Sequence, residues 1–568
     1  MGVTSSLLRR SVRLLTRFGA ADGGNIALIF ALVLIPLVAF VGAAVDYSRA
    51  NSLKADLQTT LDATALMASR KAASLDSTAF QTLVQDYFNA QFNRPEAKNI
   101  RVTATYSSAG GSHVVITATA DIDTAFMSFV GLKTIGVAAS ATARWGSNRL
   151  RVALVLDTTG SMSDDGKITA LKTATKNLLA QLKSAASVDG DVYVSIIPFA
   201  KNVNVGAGNY NASWIDWTDW DSEPAILDPA RGGAKPSNWD QITGGSTCPF
   251  SNYSHGFTCT SGPANGSSSV STIPSSGSYA GYICPGKDSG YKDSDKIGIY
   301  YNGCYDSEPT TSTTTITVCT GWNCSCGART NCSCTGSGYN KICRQTITTT
   351  GPPYTHTWIK NPHSTWNGCV VDRGSYAGPV SNYDRLVTQP TPGLTASLFP
   401  AEQNFYCPPV MTGLNYNWSA MNSQVDALTA QGATNQPIGL VWGWQSLVGG
   451  GPLTAPAKDP NYNYTDVIIL LSDGLNTLDR WYGNGSSTNT QVDSRMYDSS
   501  GNGTCANIKA AKVTLYTIQV NTGGDPTSTL LRNCASSTDK FFLLTSANQI
   551  ITTFDKIGSD LTRLRIAQ

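Results

Sequence analysis

Residues Ile26 to Val45 form an unbroken run of 20 uncharged, mostly apolar residues, and this run constrains where the rest of the chain folds. As a helix it extends about 30 Å, the thickness of a hydrocarbon core. Arg9, Arg10, Arg13 and Arg17 precede it with no acid until Asp22. The positive-inside bias then predicts a cytoplasmic N-terminus over 1–24, a transmembrane helix over 25–46 and an exported remainder. A cleaved secretory signal has a shorter apolar core, about 7 to 15 residues, and a small-residue cleavage site. Val41-Gly-Ala-Ala44 is a poor site of that kind. Beyond it Leu53, Leu57, Leu61, Ala65 and Met67 keep a helical spacing, which predicts a retained anchor prolonged into the exported space. Pro36 is compatible with this, because neighbouring groups absorb its lost hydrogen bond inside a membrane helix.

Composition points the same way. Charged residues are 14% of the chain and the net charge is +2, which argues against nucleic acid as a partner. None of the 14 cysteines precedes Cys248. Cysteines so placed suit disulfides in an oxidising compartment. The expected location is a bacterial inner membrane, crossed once, with the bulk of the chain periplasmic or at the cell surface.

An exported α+β region is expected over 47–147. Ser77 to Phe92 carries Phe80, Leu83, Val84, Tyr87 and Phe88 on one helical face, and Ile100 to Tyr106, His113 to Asp123 and Thr134 to Trp145 alternate as half-buried strands. That outline is pilin-like. From Leu150 the pattern becomes α/β. Arg151 to Leu156 is a continuous apolar strand, Lys167 to Leu182 a helix, and Asp191 to Ile197 a second strand, an order that implies a parallel sheet with crossover helices.

The α/β pattern stops at 201 and resumes near 416. Helices are expected at Ser419 to Ala430, Pro437 to Leu447, Cys505 to Lys512 and Ala547 to Arg565, with strands at Asp466 to Leu471, Val513 to Val520 and Phe541 to Leu544. One α/β domain is therefore expected over 150–200 and 416–568. Between them, 201–415 holds 12 of the 14 cysteines and seven of the 12 tryptophans without a sustained apolar period. It reads as a disulfide-stapled insertion.

The chemistry gathers at the strand ends. Asp157-Thr-Thr-Gly-Ser-Met162 follows the first apolar strand and Ser472-Asp473-Gly474 the later one, while Gln431-Gly-Ala-Thr434-Asn435 sets a hydroxyl on a turn before a helix. Asp157, Thr159, Ser161, Thr434 and Asp473 are thus expected at one sheet edge, where open α/β folds bind ligands. Two carboxylates and three hydroxyls make a hard oxygen site of the kind magnesium takes, with manganese or calcium as alternatives. For Asp157 alone, an Asx turn or a helix cap is the purely structural alternative.

This set resembles the metal-ion-dependent adhesion site of von Willebrand factor A domains, whose motif is Asp-x-Ser-x-Ser, a distant Thr and a later Asp. Thr159 stands where serine is commoner and keeps the hydroxyl. The resemblance implies a Rossmann-like sheet, a bound divalent cation, and capture of a protein partner whose acidic group completes the coordination. The N-terminal stretch, with Gly24-Asn-Ile-Ala-Leu-Ile-Phe-Ala-Leu32, Pro36 and Gly42-Ala-Ala-Val-Asp-Tyr-Ser-Arg49, resembles TadG-like proteins of Tad (Flp) pilus assembly. That resemblance implies pilus assembly components as partners. Prepilin relatives carry Glu five residues after the cleaved glycine; here that position is Ile29, which favours a permanent anchor.

Within 201–415, the Cys-x-Cys pairs at Cys324, Cys326, Cys332 and Cys334 favour bridges over a metal-thiolate site in an oxidising compartment, and Cys505 with Cys534 is the expected bridge beside the Val513 to Val520 strand. Trp214, Trp217 and Trp220 are either an aromatic platform or core filling. The four histidines show no metal spacing and no Ser-His-Asp arrangement is visible, so no enzymatic activity is expected. The expected function is a membrane-anchored pilus assembly or pilus-associated protein presenting a metal-dependent adhesion domain. The alternative is a surface adhesin that binds a host or matrix ligand through the same site.

Overall fold

The structure is a computed structural model that describes residues 22–108, 111–145, 148–263, 266–374, 385, 388–448 and 452–566. Arg9, Arg10, Arg13 and Arg17 lie outside the described residues. The chain divides into two compact units, one of 1–148 with 459–463 and 566–568, the other of 149–458 with 464–565.

In the first unit α1 (Asp22–Ser69) runs unbroken through Pro36 and is followed by α2 (Ser77–Gln91). The apolar part of α1 is long and apolar enough to cross a membrane. Asp76 starts α2 by accepting from the Thr78 and Ala79 amides at 2.9 and 2.8 Å, which satisfies two orphan donors of the first turn. Strands β1 (Ala97–Ser107), β2 (Ser112–Asp123) and β3 (Thr134–Trp145) form an antiparallel sheet in that order. Val114, Ile116, Ala118, Ala120 and Ile122, every second residue of β2, bury against Leu53, Leu57 and Leu61 of α1 and Phe80, Val84 and Phe88 of α2.

The second unit is built on β4 (Asn148–Asp157), α3 (Lys167–Ala185) and β5 (Val192–Phe199), then β6 (Val203–Asn204). A long hairpin follows, β7 (Gly303–Thr320) against β9 (Ile342–Lys360), with β8 (Cys332–Thr335) at its tip. After β10 (Cys369–Val370) and β11 (Thr412–Asn415) come α4 (Trp418–Asp426), α5 (Gln436–Val448), β12 (Asn463–Ser472), α6 (Thr490–Met496), α7 (Thr504–Ala510), β13 (Thr514–Val520), α8 (Thr529–Cys534), β14 (Phe541–Leu544) and α9 (Asn548–Ile566). The main sheet runs β10-β6-β5-β4-β12-β13-β14, with β11 also paired to β5. Strand β4 is parallel to β5, β12 to β13 and β13 to β14.

Both faces of this sheet are covered, so its strands are apolar without alternation. Val152, Leu154 and Leu156 of β4 and Val467, Ile469 and Leu471 of β12 face α3, α4 and α9 through Leu171, Leu178, Val425, Phe554 and Ile557. The intervening Ala153, Val155, Ile468 and Leu470 face α5, α7 and α8. The stretch 201–415 supplies β6, β10 and β11 to the sheet, so it is woven into the sheet edge instead of standing apart from it. All 14 cysteines are paired, including Cys505 with Cys534 and the tip bridges Cys319–Cys324, Cys326–Cys332 and Cys334–Cys343. Trp220 is buried, Trp217 stacks on His363 at 3.8 Å between ring centroids, and Trp214 packs edge-on to Trp442, so this trio is core filling.

Helix α5 lies unusually close to the sheet. A Cβ on Gly439 would stand 2.6 Å from Phe199 Cδ1, and one on Gly443 2.5 Å from Val155 Cγ2. Alanine in a helix gains about 0.5–1 kcal/mol over glycine, but overpacking a filled core costs about 1–3 kcal/mol. The double variant Gly439→Ala with Gly443→Ala is therefore expected to be less stable than the parent in chemical denaturation.

Candidate metal centre

Strand β4 has β5 on one side and β12 on the other, so the chain leaves β4 in one direction and returns to build the sheet in the other. In open α/β sheets ligands bind at such a reversal, outside the carboxyl ends of the strands, here β4 and β12. Asp157 is the last residue of β4 and Asp473 follows the last residue of β12. The two ends lie side by side, because Ser472 Oγ donates to Asp157 Oδ2 at 2.6 Å.

Three loops meet there. In the first, the Thr159 amide donates to Asp157 Oδ1 at 2.8 Å, the Asx-type contact expected of that residue alone. The same loop places Thr159 Oγ1 3.2 Å from Ser161 Oγ, and Ser161 Oγ donates to Asp473 Oδ1 at 2.7 Å. The second loop is tied to the first by Gly160 N to Gly432 O and Gln431 N to Thr158 O, both 2.8 Å. In the third, a Cβ on Gly474 would lie 3.9 Å from both Ser161 Oγ and Thr434 Oγ1. The hydroxyls of Ser161 and Thr434 therefore converge over a residue with no side chain. All five sequence-expected residues meet at this edge.

Sequence reasoning missed several partners. Lys167, the first residue of α3, reaches Asp473 Oδ2 at 2.6 Å with both side chains buried. Ser472 fixes Asp157. The turn bearing Thr434 is held from behind by Asn435 Nδ2 on Asp372 Oδ2 at 2.9 Å, and buried Asp372 pairs with Arg495 at 2.5 Å, which also pairs with Asp479 at 2.7 Å. Lys167 stands at the right spacing for the first turn of α3, but no spacing rule marks its charge as turned inward. Asp372 comes from the long stretch before β11, where no periodicity locates it.

Asp157 is fully buried, and burial first and the charge of Asp473 second push its carboxyl up to about 7, against the pull of hydrogen bonds from Ser472 and Thr159. Five oxygen-bearing side chains are the donor chemistry a hard divalent cation takes, although the Lys167 ammonium holds one of the carboxylate oxygens. Beside Gly432 and Ala433 a cavity of about 270 Å³ opens, lined also by Lys201, Asn404, Tyr406 and Ser486.

Residues 24–74 match the Flp pilus-assembly TadE/G-like family. A comparison with curated proteins finds no match. Among solved structures, the pilus adhesin SpaC from Lactobacillus rhamnosus GG is 12% identical with a TM-score of 0.28, over 83% of this chain and 36% of that one. This chain thus spans about a third of the SpaC length. Proximal thread matrix protein 1 from the mussel byssus is 11% identical with a TM-score of 0.25, over 74% of this chain and 47% of that one. The adhesive tip pilin GBS104 from Group B Streptococcus agalactiae is 10% identical with a TM-score of 0.26, over 73% and 99%. Likeness this low assigns no activity to the chain.

The raised Asp157 pKa has a definite sign. The unfolded acid loses its proton near 3.8, whereas the native one keeps it to about 7, so the native state binds more protons across that window and stability falls as pH rises through it. With a chelator present, denaturation midpoints of the parent should decline from about pH 4 to 7 relative to those of Asp157→Asn, and the difference should level off above 7.

Proposed function

We propose that this chain is a membrane-anchored component of a Tad-type pilus system, and that its second unit is a von Willebrand A-type domain which binds a divalent cation to capture a protein partner. The single observation that carries the metal reading is the convergence of Asp157, Thr159, Ser161, Thr434 and Asp473 above adjacent strand ends. The match of residues 24–74 to the TadE/G-like family supports the pilus setting.

Asp157 and Asp473 would hold magnesium or manganese, directly or through water, with Ser161, Thr159 and Thr434 supplying neutral oxygens. When bound, the cation would offer a coordination position to an acidic group of the partner. This chain's own residues set the conditions. Ser472 and the Thr159 amide keep Asp157 from rotating away, Lys167 must release Asp473 Oδ2 before that oxygen serves as a ligand, and Gly474 leaves room above the strand ends. The cavity beside Gly432 would receive the partner residues that flank the acidic group. The reading is a binding function and not an enzymatic one.

A second reading, a surface adhesin, is favoured by the β7–β9 arm. Its threonines pair across the strands at Thr311–Thr350, Thr313–Thr348 and Thr315–Thr346, and its tip exposes Trp322 and Tyr339 with ring centroids 6.1 Å apart. Such a tip presents apolar area on a scaffold stapled by three disulfides.

Asp157→Ala removes one ligand at the carboxyl end of β4 and is expected to leave the apolar packing of the sheet in place. In the native host, cells making this variant should keep normal amounts of the chain in the membrane while surface pili, counted by electron microscopy, fall at least tenfold. Unchanged piliation with lost binding to surfaces would favour the adhesin reading, and unchanged piliation and binding would contradict a working metal site.

A further inference from the structure

The described part of α1 changes character at Gly42. Between Ile29 and Val41 the helix is bare on every side, whereas Gly42, Asp46, Ala50 and Leu53 are buried beneath the rest of the first unit. Cover therefore begins one turn before the apolar run ends at Val45.

What covers Gly42 is the turn between β2 and β3. Phe126 sits so close that a methyl group on Gly42 would overlap its side chain. The buried Asp46 carboxylate fixes this turn by accepting the amides of Ala125, Phe126 and Met127, each at 2.8 Å. The turn projects apolar side chains to the outside. Phe129 is 88% exposed, Val130 66%, Leu132 53% and Phe126 42%. No water-facing role accounts for four large apolar residues on one rigid turn. On the side away from the apolar run the polar groups begin at once, with Lys133 exposed, Lys98 paired to Asp123 at 2.5 Å and Arg49 near Asp46 at 3.7 Å.

We infer that the 126–132 turn is a second membrane contact, in which Phe129, Val130 and Leu132 enter the headgroup–acyl boundary of the bilayer that α1 crosses. The inference rests on the reading of α1 as a membrane span. Gly42 lies three residues inside the run, so the turn beside it reaches about 4–5 Å below the end of the span, the depth at which interfacial apolar groups settle. Lys133 and Lys98 then stand at headgroup height, where their stems lie along apolar surface and their ammonium groups reach water or phosphate. Such a wedge fixes the tilt and rotation of α1, which a lone helix leaves free.

The test uses nitroxide labels on the full chain in vesicles of phosphatidylethanolamine and phosphatidylglycerol. Every native cysteine is in a disulfide, so an introduced cysteine is the only free thiol. Labels go at Phe129→Cys, at Ile35→Cys within the run, and at Leu66→Cys, which is exposed and apolar but about 30 Å further along the helix than Val45. Collision with oxygen relative to a water-soluble nickel chelate should be at least threefold higher at 129 than at 66, and approach the value at 35. A water-like value at 129 with a lipid-like value at 35 overturns the inference and leaves the anchor standing. A water-like value at 35 overturns the anchor reading and the inference with it. Shielding of 129 from both reagents would mean a protein surface covers the turn, and would also overturn it.

Discussion

Two carboxylates held side by side out of water organise the second unit. Asp157 and Asp473 end up together because each terminates a strand whose apolar residues are buried on both faces, and those strands are neighbours at the reversal point of the sheet. Neither can turn to solvent without breaking contacts to Ser472, the Thr159 amide, Ser161 or Lys167. Burial and the charge of Asp473 raise the cost of ionising Asp157, which is offset by a proton on Asp157, while the Lys167 ammonium pairs with Asp473. A divalent cation would serve the same end with more charge. The loops around the site, their glycines and the Asp372–Arg495 pairing behind Thr434 follow from keeping that arrangement in place.

Much of this was readable from the chain. The continuous apolar runs ending at Leu156 and Leu471 predict buried parallel strands, and the residues just after such runs fall on the ligand-binding edge whatever their identity. Helices α3, α5 and α9 were legible from their apolar faces, and the bridge between Cys505 and Cys534 from the strand they flank. Helices α6 and α8, of seven and six residues, were not read, although α7, as short as α6, was expected at Cys505 to Lys512.

The stretch 201–415 resisted reading for a physical reason. Pattern rules detect elements through the contrast between a buried and an exposed face, and the arm of β7 and β9 has little contrast to detect. Most of its threonines are exposed on both faces. The two-residue strands β6 and β10 that join the sheet are likewise too short to alternate. Lys167 illustrates a different limit. A lysine at a helix start normally faces water, and only the position of Asp473, 306 residues away, turns this one inward.

The central claim is that the five oxygen-bearing residues bind a divalent cation. It is tested most directly by titrating the full chain with manganese and measuring free ion by electron paramagnetic resonance. The account predicts one bound ion per chain, none with Asp157→Ala, and tighter binding with Lys167→Met because no ammonium then has to leave Asp473. A parent that binds no manganese, or an Asp157→Ala variant that binds as well as the parent, would contradict it.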